Sequence, residues 1–250
     1  MSIPYRIVSG NHDVKSIPTI KLLSRFKDHW KIPHYWYSFE YYSTLFLMME
    51  NDILRARDLL EDGSESSAED EELELLAEQQ LEWLDNILEG AFYSGRYSHV
   101  IPIFHHPFAI KSSSKDNDRR NIPKPIRTEL LSILEQWNFS MSNSERSWIT
   151  HVLSGHYYAN ARVSGIDGVD FITYASTGVI LGGRDESGLA IMKIDQDKIE
   201  EKYYGYDDIP SRRAKLEAPD AGLEVIKPRQ NDVALVGNLL VVEWISTSNS

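Results

Sequence analysis

Apolar residues in this chain come in two rhythms. In residues 19–30, Ile20, Leu22, Leu23, Phe26 and Trp30 fall mostly three and four apart, the spacing of one helix face, and Pro18 and Thr19 suit its start. The same rhythm returns at Leu73, Leu76, Ala77, Leu81, Leu84, Ile87 and Leu88, with Gly90 as the stop, and again at Ile126, Leu130, Leu131 and Leu134 within residues 123–137. Elsewhere the apolar residues run together and stop at turn formers, which predicts buried strands. Tyr35-Trp36-Tyr37-Ser38-Phe39 and Thr44-Leu45-Phe46-Leu47-Met48-Met49 read as a hairpin, and residues 99–104 and 148–153 as two further strands. Beyond Asn160 the pattern is β, with strands over residues 169–174 and 189–194 and turns at Gly182-Gly183 and Ser187-Gly188. The run Tyr5-Arg6-Ile7-Val8 predicts one more strand, entering a tight turn at Ser9-Gly10, where glycine tolerates positive φ.

The polar stretches between these elements predict loops. Residues 61–72 are almost wholly acidic and serine-containing and read as a solvated loop; Ser64, Ser66 and Ser67 are phosphorylation candidates there, but an ordinary charged loop is the simpler account. Residues 111–120 form a second polar loop, where Arg119 or Arg120 can meet an anion, although solvation alone explains them. From Ser211 the chain is charged and then ends in an apolar run over residues 235–244, which suits either an extra strand or an interaction segment. The expectation is one domain over residues 1–212 and an extension over 213–250.

Composition narrows the class. A hydrophobic fraction of 42% suits a packed core, and the absence of cysteine excludes disulfides and thiolate metal sites. A net charge of -12 argues against a nucleic-acid or anionic-membrane partner, both of which call for basic clusters. With no signal-peptide pattern at Met1 and no apolar run of the roughly eighteen residues a spanning helix needs, a cytoplasmic protein is expected.

Three apolar runs end in chemistry. Residues 5–8 lead to Gly10-Asn11-His12-Asp13, residues 99–104 to His105-His106-Pro107, and residues 148–153 to Ser154-Gly155-His156. Ligands in α/β sheets collect beyond the carboxyl ends of the strands, so adjacent strands would bring Asn11, His12, His105 and His156 to one rim. Taken singly, Asn-His after glycine is ordinary turn chemistry and His-His-Pro an ordinary strand end. Together, imidazoles and a carboxamide oxygen suit a borderline divalent ion such as Mn, Fe(II) or Zn.

These three segments together resemble the calcineurin-like metallophosphoesterases, whose later motifs read GNHD/E, HxP and GHxH. The likeness is strongest to the branch named for its calcineurin-like phosphoesterase domain. It continues through Ser38-Phe39, Gln80-Leu81-Glu82-Trp83-Leu84-Asp85, Asn121-Ile122-Pro123-Lys124, Ser187-Gly188-Leu189 and Asp208-Ile209-Pro210, over roughly residues 5 to 212. The resemblance implies an α/β (α+β) fold, a four-layer α/β/β/α sandwich, and metal-dependent hydrolysis of phosphomonoesters, including phosphoserine and phosphothreonine on proteins. It also assigns Asn11, His105 and His156 as ligands of the family's second metal, His12 as the group at the leaving oxygen and Asp13 as its orienting neighbour. His106 falls on the variable position of HxP and reads as a neighbour.

Two departures weigh against a full dinuclear centre. The family's D-x-H and G-D-x-x-D segments precede GNHD, whereas nine residues precede Gly10 here, and Tyr158 stands where GHxH has its second histidine. The expectation is an N-terminally incomplete sandwich holding one divalent ion at most, either a piece of a longer protein or a decayed relative. The function the resemblance implies is a phosphoesterase acting on a phosphorylated substrate such as a phosphoprotein. The alternative is a catalytically inactive relative that binds protein or phosphate.

Overall fold

The computed structural model describes residues 5–15, 17–60, 67–108, 121–142, 148–156, 160–166, 168–174, 188–195 and 198–205. Their helices are α1 (Asn11–Val14), α2 (Ile20–Trp30), α3 (Asn51–Leu60), α4 (Ala68–Ser94) and α5 (Lys124–Ser142). The strands are β1 (Tyr37–Tyr41), β2 (Thr44–Met48), β3 (His99–Ile103), β4 (His151–Ser154), β5 (Ala161–Ile166), β6 (Val169–Thr173), β7 (Gly188–Ile194) and β8 (Ile199–Gly205). The loop at 111–120, Tyr158, the turn at 182–183 and the apolar run at 235–244 lie outside the described residues.

The fold is mixed α/β. Among the described residues, six strands form one sheet in the order β1-β2-β3-β4-β6-β5, and β7 and β8 form a second. The central strands β2, β3, β4 and β6 run parallel, while β1 and β5 close the edges antiparallel. Alternation along the strands explains why the central ones read as unbroken apolar runs, since both faces are covered. Leu45, Leu47, Val100, Val152 and Phe171 point to the main core with α1 to α5, and Phe46, Met48, Ile101, Ile103, Leu153 and Ile172 point to a second core that includes Met192 of β7. Helices, large sheet and small sheet therefore stack as α/β/β, the order expected of the first three layers of the sandwich. All described helices with core residues lie on the main-core side. None of them is long and apolar enough to cross a membrane.

Several expectations change. Residues 5–10 form no strand and pair with no sheet among the described residues; instead Ile7 exchanges hydrogen bonds with the Tyr37 hydroxyl, its N–H donating at 3.0 Å and its carbonyl accepting at 2.8 Å. Gly10 has φ -127, so no left-handed turn is made there. Residues 67–72, expected as loop, begin α4: the Ser67 hydroxyl accepts from Asp70 N–H while Asp70 accepts from Ser67 N–H, and the acids Glu69, Asp70 and Glu71 favour the positive end of the helix dipole. Gly90 does not end that helix. A Cβ there would meet nothing, and the left-handed Gly95 at φ 62 caps it five residues later. The strand expected over 169–174 spans Val169–Thr173 and lies between β4 and β5 in the large sheet. Helix α3 and strand β8 were not foreseen.

Candidate metal centre

Backbone hydrogen bonds carry the parallel register of β3 and β4 past their carboxyl ends. Phe104 N–H donates to Leu153 O at 2.9 Å and Gly155 N–H to His105 O at 3.0 Å, so the His105 and His156 loops are tied side by side. Asn11 arrives differently, on the single turn of α1, whose Val14 is fully buried in the main core. Gly10 allows that approach by being small. A Cβ there would lie 2.6 to 2.9 Å from three atoms of the His105 ring. His156 adopts φ 67, a left-handed conformation that costs a non-glycine residue about 1–3 kcal/mol and persists only when its surroundings enforce it.

His105 Nε2 lies 3.0 Å from Asn11 Oδ1 and 3.1 Å from His156 Nδ1. A nitrogen carries one proton or one lone pair, so Nε2 cannot satisfy both neighbours fully by hydrogen bonding. A cation satisfies all three at once. Ligands at about 2.0–2.1 Å from one ion and at right angles stand roughly 3 Å apart, the spacing found. Burial pushes His105 down to about 3, with His156, His12 and Arg55 adding to the effect, so the ring is neutral and its lone pair open to a metal.

His106 also has a nitrogen near this group, within 4.8 Å of ligand atoms of His105 and His156. Its own contacts take it elsewhere. Nε2 lies 2.6 Å from Arg55 Nη1, and because guanidinium only donates, Nε2 must accept. Nδ1 then holds the proton and faces Asn51 Oδ1 at 3.5 Å and Asp52 Oδ1 at 3.6 Å. Both nitrogens are turned to α3, which leaves no lone pair for an ion. Burial first, then His156, His105 and Arg55, hold this ring neutral.

His12 and Asp13 are exposed at the rim. Asp13 Oδ2 accepts from Gly10 N–H at 3.0 Å and closes the α1 turn. Partial desolvation of its carboxyl raises its pKa, opposed by that hydrogen bond and by electrostatic interaction with His12. Among the described residues its carboxylate makes no hydrogen bond to His12.

Sequence reasoning missed the groups beneath this rim. Glu50 accepts from Ser9 Oγ at 2.9 Å and from Ile53 N–H at 2.7 Å, while Gln80 exchanges hydrogen bonds with the Glu50 backbone, both at 2.8 Å. Asp52 pairs with Arg55 at 3.0 Å, and the Asn51 amide donates to His106 O at 3.3 Å. The signal was the one that exposed the other loops: the apolar run ending at Met49 passes directly into Glu50-Asn51-Asp52.

No family model matches the chain. The serine/threonine-protein phosphatase CPPED1 of Rattus norvegicus is 30% identical over 210 residues, 84% of this chain and 58% of that protein. The chain belongs to the calcineurin-like metallophosphoesterase family. The CPPED1 proteins of Mus musculus, 30% identical over 207 residues, and of Homo sapiens, 27% over 212 residues, match over 83% and 84% of the chain. The chain spans less than three fifths of these relatives, 57% of the mouse and 59% of the human protein. A solved dimetal phosphatase from Danio rerio overlays with a TM-score of 0.38 at 17% identity, covering 68% of this chain and 60% of that one, too loosely to add weight. Within the metallophosphoesterase motifs, then, His105 of HxP and His156, at the first histidine position of GHxH, follow adjacent parallel strands, and Asn11 and His12 of GNHD meet them from a short helix outside the sheet.

Proposed function

We propose that this chain is a metal-dependent phosphoesterase that hydrolyses phosphomonoesters on phosphorylated protein side chains, with Asn11, His105 and His156 holding one divalent cation, Mn, Fe(II) or Zn. One observation carries the reading: His105 Nε2 lies 3.0 Å from Asn11 Oδ1 and 3.1 Å from His156 Nδ1, each the spacing of two ligands on one ion. The naming of the CPPED1 relatives as serine/threonine-protein phosphatases supports the substrate class.

When bound, such an ion supplies Lewis-acid polarisation of a phosphoryl oxygen. The remaining work falls to the protein. His12, one residue beyond Asn11 and open to solvent, is placed to give an imidazole proton to the oxygen of the departing alcohol. Asp13 holds the turn that presents His12, through its bond to Gly10 N–H. His105 and His156, kept side by side by the Gly155 to His105 backbone bond, define the floor on which the phosphoryl group is received.

The test is turnover of a phosphoserine peptide by the purified chain with Mn2+, Fe2+ or Zn2+ in turn. Metal-dependent release of phosphate that falls by about 10²–10⁴ in His12→Ala is the expected result, the usual contribution of a general acid. Tyr158, at the second histidine position of GHxH, favours one other reading, a binding module without turnover. Metal-dependent phosphate binding with no hydrolysis would establish that module and refute the enzyme.

A further inference from the structure

Arg55, Asp52 and His106 are nearly or fully buried, and an ion pair that far from water is seldom kept for stability, because desolvation offsets the attraction. Asp52 Oδ2 has no hydrogen-bond partner among the described residues, so the carboxylate is held at further cost. What the pair does is orient His106. Arg55 Nη1 bridges Asp52 Oδ1 at 3.0 Å and His106 Nε2 at 2.6 Å, and Asn51 grips the His106 carbonyl at 3.3 Å. The ring so fixed lies against His156, with centroids 4.1 Å apart, and its backbone is the next link after His105. His156 itself has left-handed backbone geometry, at φ 67, and so needs a rigid neighbour to hold it.

We propose that Arg55, anchored by Asp52, is a positioning residue that acts through His106 to hold the His105 and His156 nitrogens at the spacing a divalent cation requires. The inference rests on the metal-centre reading above and adds to it a buried support supplied by α3. Partners behind metal-binding histidines that set ring orientation usually govern affinity by about 10–100-fold. Here the support reaches the ligands through a histidine that is not itself a ligand.

The experiment is Co2+ titration of the full chain, read by visible absorption, which reports coordination geometry, alongside urea unfolding. The parent protein should bind Co2+ with a defined visible band; no binding would refute the metal-centre reading itself. Arg55→Lys keeps the charge beside Asp52 but not the planar fork, and Arg55→Met with Asp52→Asn removes both charges together. Each should weaken Co2+ by about 10–100-fold and shift the band while the chain remains folded at the assay temperature. His106→Ala should do the same, and His106→Gln, whose carbonyl can still accept from Arg55, should recover part of the affinity. If the double variant does not fold, Arg55→Lys and the two His106 variants decide. Lower urea midpoints with unchanged Co2+ affinity and band would show a merely structural role and overturn the inference, leaving the metal centre intact.

Discussion

Gly10 shows how one residue sets the spacing of the centre. Its φ of -127 is open to any amino acid, so backbone freedom does not explain glycine there. The His105 ring does, since a methyl group would overlap it at 2.6 Å. Gly10→Ala should therefore cost about 1–3 kcal/mol of overpacking, with its main effect on the ring and not on the fold. We expect Co2+ or Mn2+ affinity measured by calorimetry to fall by roughly 10-fold or more, since a support that displaces a ligand ring usually costs that much. Full affinity in Gly10→Ala would show that His105 is not held where the ion needs it.

At the scale of elements, α3 ties the two halves of the rim together. Its entry residue Glu50 binds Ser9, next to the Asn11 loop, while Asn51 and Arg55 bind His106, next to His105. Burial raises Glu50 from 4.5 to about 7, with the Ile53, Ser9 and Asp52 hydrogen bonds and Arg55 opposing it. A carboxyl whose pKa is higher when folded binds more protons in the folded state, so its stabilising contribution is present below about 4.5 and is lost as pH rises to about 7. His105 works the other way. Its folded pKa is depressed from 6.5 to about 3, so the unfolded chain binds more protons between those values and stability rises with pH. The difference between proteins isolates Glu50: urea midpoints of Glu50→Gln relative to the parent should improve steadily from pH 4.5 to pH 7. A constant difference across that window would refute a buried, proton-holding Glu50.

For the whole molecule, a cation held as proposed, by three segments far apart in sequence, would link binding to folding. Asn11, His105 and His156 are brought together only in the native state, so an ion that needs all three stabilises the folded chain by mass action. At 100 times its dissociation constant this amounts to about 2.7 kcal/mol. For a domain of this size that is roughly 5–10 °C in Tm. Thermal unfolding with Mn2+ should show the increase, chelation should reverse it, and His105→Ala with His156→Ala should abolish it. An equal increase in the double variant would place the ion elsewhere.

How much was legible follows from whether the deciding contact is local. Helices α2, α4 and α5, the β1–β2 hairpin and strands β3, β4, β6 and β7 show in the sequence because each buries a face whose period, 3.6 or 2, is written in consecutive residues. Asn11, His105 and His156 were legible as ends of apolar runs, and two of those runs are neighbouring strands. Helix α3 was not legible, because Glu50 is no favoured cap and is secured by Ser9 and Gln80, 41 and 30 residues away. The start of α4 was hidden too, since an acidic stretch looks the same whether it is solvated loop or a helix turn stabilised by its dipole. The sequence by itself determined which residue types could hold an ion and which segments carry them. Only the tertiary structure decided that Asn11 arrives from outside the sheet, that Gly10 is needed for room, and that both nitrogens of His106 belong to α3. Those outcomes depend on distances between segments that no local periodicity encodes.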